Sequence, residues 1–440
     1  MTSTLATPFR SLSVRNFRLF AAGQVVSVAG TWMMVVAQDW IVLGLADNSG
    51  TALGVVTALQ FTPLLLFTLY GGRLADRYDK RLLLTCANLA SGALALVLAM
   101  LAFADAVQLW HIWLCAFGLG VVNAVEVPTR MSFVSELVGP ELLPNASALS
   151  AAYFNTARVV GPALAGLLIT GFGTGWVMLF NSVSYLATVA GLRMMRPDEL
   201  LRGAQPDTRP RVIDGLRYIR SRPDLKLPLA LVGVISLFGL NFQLTLPLFA
   251  KTVFHADAAS FGLLTTGFAA GSLVAAFVTT ARRGRPSSRL VVASAIVFAA
   301  LETVAGWAPD FASAIVLLSL TGGATIYFVQ AANHRVQLGS DPQYRGRVMA
   351  LYTLIVQGST PLGSLLIGAL AEHLGARSGF YVGGLVSLAA ALTALAFDRR
   401  TGKEASEDVT MTKDVEPEGV AIAKEAAPGQ DGFEPEAVRR

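Results

Sequence analysis

Four ionisable side chains stand inside apolar runs of this sequence: Asp39, Glu126, Arg158 and Glu302. A charge at the centre of a lipid-embedded helix costs roughly 2.5–3.5 kcal/mol or more, so each marks a place where chemistry is expected. Arg158 lies deepest, one turn ahead of Gly161-Pro162, too far from either end of its run to reach water easily. It either binds an anionic group or a carboxylate counter-ion within a cavity, or pairs permanently with a helix end or with Glu126. Asp39 stands near the end of the first apolar run, where it either exchanges protons with water or simply reaches the interface. Glu302 is embedded in the ninth run and Glu126 lies close to the end of the fourth.

A second concentration of charge sits in a short break, GGRLADRYDKR at residues 71–81. Gly72 would let two helices approach closely. Asp76 would accept hydrogen bonds from the free amides of a neighbouring helix N-terminus, where the dipole favours an anion. Lys80 would bridge Asp76 to Glu126, and the cluster with Arg77 and Arg81 would latch that side of the molecule shut. A loop that is merely basic for topological reasons explains the Arg and Lys residues but not the Asp.

Uncharged polar residues recur at helical spacing. Gln24, Ser27, Thr31 and Gln38 share a face of the first run, and Asn123, Glu126 and Arg130 share one of the fourth. Gln330, Asn333, His334 and Gln337 do so in the tenth, while Asn241, Gln243 and Thr245 cluster in the seventh. Asn155 joins Arg158 as a pathway candidate. Such stripes either line an aqueous pathway or bond helix to helix.

The elements that must position these residues follow from composition. Among 440 residues, 54% are hydrophobic and only 14% charged, about half the charge of a soluble domain. A soluble protein this apolar could not cover its surface with polar groups. Twelve apolar segments recur, at about 17–45, 51–72, 82–104, 110–130, 146–170, 176–195, 227–250, 259–281, 290–307, 311–335, 347–372 and 379–397. In lipid they must be helices, because nothing else satisfies the backbone. Alternate breaks hold only Lys251 and Arg377, whereas the opposite set holds Arg73, Arg77, Lys80, Arg81, nine basic residues from Arg193 to Lys226, Arg282, Arg283, Arg285, Arg289, Arg345 and Arg347. That asymmetry places both termini in the cytoplasm. Residues 196–226 read as a linker with an amphipathic stretch from Arg211 to Arg222, and residues 398–440, with 11 of the 29 acidic residues, as a disordered tail.

The halves look related. Aligning RVVGPALAGLLI around Pro162 with QGSTPLGSLLI around Pro361 sets Arg158 opposite Gln357, each four residues before its proline. Two copies of six spans is a transporter pattern. Cys86 and Cys115 lie in apolar runs and the four histidines are scattered, so neither a disulfide framework nor a metal site is expected. No P-loop, HExxH or GxSxG occurs, which leaves an ion gradient or the substrate itself as the energy source.

The pattern of Gly72, Asp76, Arg77, Lys80 and Arg81 resembles the signature loop of the major facilitator superfamily, with Asp79 where many members carry a second glycine. RNFRLFAAGQVVSVAGTWM, NAVEVPTRMSFVSELV, NTARVVGPALAGLLI and YRGRVMALY resemble its bacterial secretion-effector branch, related to the enterobactin exporter, over roughly residues 10–397. The resemblance implies that spans one, four, seven and ten line a central cavity, that span nine is peripheral, and that Asp76 meets the start of span eleven near Arg347. Gly161-Pro162 with Gly166 resembles part of the antiporter-type motif of span five.

The expectation is an all-α integral membrane protein of twelve transmembrane helices in two pseudo-symmetric six-helix lobes, the major facilitator fold. Residues 1–195 form the N-terminal lobe, 196–226 a cytoplasmic linker, 227–397 the C-terminal lobe and 398–440 the tail. Its function is proton-coupled export of a small amphipathic or anionic compound by alternating access from a multi-pass site in the bacterial inner membrane. The alternatives are an importer or facilitated uniporter of a metabolite, or, from another class, a membrane-embedded enzyme or scaffold. The expected pathway comprises Gln24, Thr31, Gln38, Asp39, Asn123, Asn155, Arg158, Asn241, Gln243, Gln330, Asn333 and Gln357. The expected cytoplasmic gate is Gly72, Asp76, Arg77, Lys80, Arg81 and Glu126. No cofactor and no nucleic-acid partner is expected, and the chain is read as a monomer.

Overall fold

The structure, a computed structural model, describes residues 7–201, 212–280, 282 and 284–413. Its regular elements are helical throughout those residues. Five helices build the N-terminal lobe: α1 (Arg15–Leu45), α2 (Gly50–Arg77), α3 (Lys80–Phe103), α4 (Leu109–Phe172) and α5 (Thr174–Arg193). The linker carries α6 (Val212–Arg220). The C-terminal lobe follows with α7 (Pro223–Phe238), α8 (Phe242–Leu248), α9 (Ala258–Thr280), α10 (Ser288–Ala305), α11 (Phe311–Gly339), α12 (Pro342–Leu374) and α13 (Ser378–Lys413).

Five helices make six crossings because α4, 64 residues long, is two spans in one. Its only non-helical residue is Gly139, whose φ of 73° lies in the left-handed region that glycine enters without strain, and Pro140 follows at the start of the next arm. The connection expected between residues 130 and 146 is therefore helix bent at one point. The opposite happens in the seventh span, expected to be continuous over 227–250. It is split into α7 and α8, with a wide-turned stretch at Phe249–Val253 completing the crossing. Pro247 has no amide to donate, and Gly239 ends α7. The carbonyls released at the break are taken by one side chain: Asn241 Nδ2 donates to Leu237 O at 2.9 Å and to Phe238 O at 3.2 Å.

The expected amphipathic linker helix is α6. From Leu395 onward the described chain forms a separate unit; α13 continues as helix to Lys413, past the expected end of the last span at 397, and residues 414–440 of the expected tail lie outside the described residues.

Packing within each lobe is rich in aromatic contacts. Phe20 meets Phe133 edge-on at 5.6 Å, and in the other lobe Phe242, Phe249, Phe298 and Phe380 form one contiguous group. Long apolar side chains such as Leu69, Phe277 and Leu167 stand more than 60% exposed. On a soluble protein these would be a liability; on a lipid-facing wall they are the expected surface.

We call the end of the bundle that bears the 46–49 turn distal and the end that bears Tyr78 and Asp79 proximal. At the distal end the lobes meet along two seams. In the α2–α12 seam, a Cβ on Gly54 would fall 2.5 Å from Ser364 O, and Ser364 Oγ donates to Gly54 O at 3.2 Å. In the α4–α9 seam, Gly166 faces Ala258 and Gly262 faces Pro162 O with the same closeness, and Thr266 Oγ1 donates to Val159 O at 3.0 Å.

Candidate functional site: a cavity between the lobes

Between the two seams lies a cavity of about 380 Å³, walled by α1, α2 and α4 on one side and by the α7–α8 break, α9, α11 and α12 on the other. Asp39, Arg158, Asn241, Gln243 and Gln357 all reach it. It adjoins a second space of about 400 Å³ in the N-terminal lobe, with which it shares Trp32, Phe61 and Gln243. One wall of that second space carries Gln24, Thr31, Gln38, Asn123, Glu126 and Arg130 among apolar neighbours. The two spaces together can therefore hold an amphipathic molecule against an aromatic and a polar wall.

Charges in this space are handled unequally. Glu126 Oε1 accepts from Arg130 Nε at 2.9 Å, one helical turn away. Arg158 has no carboxylate within salt-bridge distance among the described residues; its guanidinium lies 5.7 Å from the ring centroid of Trp32. Asp39 is 4% exposed, and no donor among the described residues bonds its carboxylate. An acid and a base thus face one cavity without cancelling each other.

Arg158 and Gln357, opposed by the internal repeat, do line the same space. Asn155, Gln330 and Asn333 line neither cavity; Asn155 Nδ2 is turned back onto Ala151 O at 2.8 Å. Trp32, absent from the expected set, is one of the residues that join both spaces, and its ring faces Arg158.

The distal lid is made of interlobe contacts. Trp40 of α1 stacks on Phe261 of α9 at 6.3 Å and 13°, and Lys251 Nζ sits 4.8 Å from the Trp40 ring centroid. Beside them Glu372, near the end of α12, reaches the start of α2. Its Oε2 accepts from Ser49 Oγ at 2.7 Å and from Thr51 N at 2.9 Å, an anion on a helix N-terminus supplied by the other lobe.

The proximal cluster is arranged differently from expectation. Lys80 Nζ pairs with Glu136 Oε1 at 2.5 Å, not with Glu126, which lines the cavity with Arg130. Both Lys80 and Glu136 belong to the N-terminal lobe, so this pair fastens α3 to α4 and does not cross between lobes. Arg81 Nε donates to Leu192 O at 2.6 Å and its Nη2 to Arg193 O at 3.2 Å, a cation on the C-terminal carbonyls of α5. Asp79 accepts from Leu82 N at 3.1 Å as the N-cap of α3, with φ −60°, so the turn needs no second glycine. The close approach expected at Gly72 occurs at Gly71, packed on Ala124 of α4, while nothing lies within 4 Å of a Cβ on Gly72. Asp76 and Arg77 are exposed. At α12, Asp341 as N-cap makes no side-chain bond to the helix amides. Among the described residues no hydrogen bond joins Asp76 to α12.

Residues 5–428 match the family model described as transmembrane secretion effector. The chain is 23% identical over 386 residues to macrolide efflux protein A of Streptococcus pyogenes, covering 86% of this chain and 94% of that protein. It is 26% identical over 380 residues to the multidrug efflux pump Tap of Mycolicibacterium fortuitum, covering 82% and 90%. With the staphyloferrin A transporter of Staphylococcus aureus the identity is 24% over 266 residues, 59% of this chain and 66% of that one. Among solved structures, a bacterial homologue of the human lysosomal transporter Spinster, inward-facing and occupied, superposes with a TM-score of 0.70 at 13% identity over 88% of this chain and 97% of that one. The nucleoside transporter NupG gives 0.67 at 12% identity over 88% and 98%.

Proposed function

The chain belongs to the transmembrane secretion effector family of the major facilitator superfamily, and from that premise we propose that it is a proton-coupled exporter of macrolide-like and other amphipathic small molecules. It is not an enzyme; it carries substrate across the membrane by alternating access. The observation that carries the coupling is Asp39: a buried carboxylate without a partner among the described residues, open to the same cavity as Arg158.

With both termini cytoplasmic, as loop charge expects, the distal seal faces outward and the proximal cluster inward. The structure then corresponds to a state loaded from the cytoplasm in the inner membrane. An amphipathic substrate lies against Trp32 and Phe61, its polar groups directed to the Gln24–Asn123 wall or to Arg158 and Gln357. A cationic group beside Asp39 competes with a proton for that carboxylate, and this competition makes the exchange antiport. Outward opening breaks the Glu372 contact, and closure of the proximal side brings Asp76 to the amides of α12. The protein acts as a monomer, because one chain supplies both lobes and the complete cavity.

The test is macrolide efflux from proteoliposomes with an imposed pH gradient. Asp39→Asn is expected to retain macrolide binding and exchange while gradient-driven flux falls at least tenfold. Flux insensitive to the gradient in the wild type, or unchanged in Asp39→Asn, overturns the coupling.

A further inference from the structure

A second acid is seated behind the α7–α8 break. Glu302 of α10 is 3% exposed, and its Oε2 is buried without a hydrogen-bond partner. The seat is formed by two glycines from different helices. A Cβ on Gly239 would fall 3.0 Å from Glu302 Oε2 and 2.8 Å from Ser387 Oγ; one on Gly383 would fall 2.6 Å from Glu302 Oε1 and 2.8 Å from Phe238 O. Ser387 is 0% exposed and its hydroxyl, too, is without a partner. The carboxyl group, the Phe238 carbonyl and the unused Ser387 hydroxyl thus converge on the same two glycine positions.

No cation among the described residues balances it. From α7 the seat receives Gly239 and Phe238, from α13 Gly383 and Ser387, and from α10 itself Phe298, which stacks on Phe328 of α11. The basic group of this region, Arg377 at the start of α13, is engaged with Gly306 O at 2.5 Å and Ala308 O at 3.1 Å. An ionised carboxylate facing a carbonyl oxygen in apolar surroundings is strongly disfavoured, whereas a carboxylic acid can donate its one proton to that carbonyl.

We propose that Glu302 is a second proton-binding site, lodged in the C-terminal lobe and linked to the central cavity through the α7–α8 break. The link is the Phe238 carbonyl. Its oxygen crowds the same Gly383 position as Glu302 Oε1 and accepts from Asn241 Nδ2 at 3.2 Å, and Asn241 lines the cavity. The cavity amide already holds this carbonyl, so a substrate that draws Asn241 away frees it to accept from the neutral acid. Loss of the proton sets a carboxylate against that carbonyl and favours a different geometry at the break. The site extends the proton-coupled reading given above; its occupancy can be tested without transport.

Infrared difference titration of the protein in lipid nanodiscs reads occupancy directly. A carbonyl stretch of a protonated carboxylic acid is expected to bleach on alkalinisation, to be missing in Glu302→Gln and to persist in Asp39→Asn. In proteoliposomes Glu302→Gln, an isosteric stand-in for the neutral acid, is expected to keep macrolide counterflow within twofold of wild type and to lose at least tenfold of pH-gradient-driven accumulation. Should Glu302→Gln fail to insert, Ser387→Ala replaces it: the same band must shift, and an unshifted band overturns the proposal. A band retained in Glu302→Gln, or gradient-driven flux within twofold of wild type in that variant, also overturns it while leaving Asp39 as the coupling group. A wild type that shows the band but ignores the gradient supports the site and defeats the coupled reading.

Discussion

At the residue scale the molecule separates charges that are spent from charges that are held in reserve. Lys80 and Glu136, 9% and 16% exposed, neutralise one another, as Arg130 and Glu126 do. Breaking a largely buried pair by removing one partner costs on the order of 3 kcal/mol, because the other charge stays behind. Glu136→Gln is therefore expected to lower the thermal unfolding midpoint in detergent, and Lys80→Glu combined with Glu136→Lys to recover much of it. Equal midpoints for wild type and Glu136→Gln would show the pair to be idle. Arg158 belongs to the reserve. Arg158→Gln is expected to insert normally and to lose gradient-driven export, and Arg158→Lys to recover only part, since an ammonium keeps the charge near Trp32 but lacks the planar fork of donors. Full export by Arg158→Gln would reduce the residue to structure. Arg158, Asp39 and Gln357 were legible in the sequence because charge within an apolar run is conspicuous and because the internal repeat pairs positions. Trp32 was not, since an aromatic in such a run looks like any lipid-facing or core residue until its neighbour across the cavity is known. Glu136 was missed for a related reason: two acids on one helix compete for Lys80, and only the bend at Gly139 and the packing of α3 on α4 decide between them.

At the element scale, α2 and α12 stand out as a pair that can be fastened at either end by the same physics. Distally, Glu372 of α12 sits on the N-terminus of α2; proximally, Asp76 of α2 is exposed and the first amides of α12 have no side-chain cap. An anion at a helix N-terminus contributes roughly 0.3–2 kcal/mol, depending on burial. Each acid is therefore expected to bias the equilibrium by roughly twofold to thirtyfold, and in opposite senses. Glu372→Gln is expected to raise the population with the distal side open, and Asp76→Asn to raise the one with the proximal side open. Distances between spin labels on α2 and α12, at the two ends, measure both. Shifts of the same sign, or no shift, would contradict the reciprocal arrangement. The sequence made Asp76 legible through its loop, but not Glu372: a lone acid at the end of an apolar span looks like an interface residue, and its partner lies 321 residues away. Helix existence and the linker helix were legible from hydropathy and periodicity. The α7–α8 break was not, because Gly239 and Pro247 signal a kink without showing that Asn241 replaces the lost backbone partners.

At the scale of the whole molecule, the two lobes approach each other backbone to backbone only where side chains are missing. The distal seams rest on backbone-to-backbone approach: a Cβ at Gly54 would fall 2.5 Å from Ser364 O, and one at Gly166 2.6 Å from Ala258 O. Backbone at that distance has no flexible end that can swing aside, so a larger residue must part the helices. Overpacking of this kind costs typically about 1–3 kcal/mol. The gap between two functional states of a transporter is itself a few kcal/mol, so a clash present in only one of them can invert their populations. Gly54→Val strains the distal-closed state and relieves its strain when α2 and α12 part. The readout is a single cysteine at Val356, which lines the cavity, in a background with Cys86 and Cys115 replaced by serine. In the parent, a membrane-impermeant thiol reagent is expected to reach that cysteine from the proximal side; with Gly54→Val it should reach it from the distal side, while export slows because the closed state is rarely visited. Labelling from the proximal side at the parent's rate, in a protein of normal expression, would mean that the seam yields without moving the lobes, and that the distal glycines serve packing and not the exchange of access.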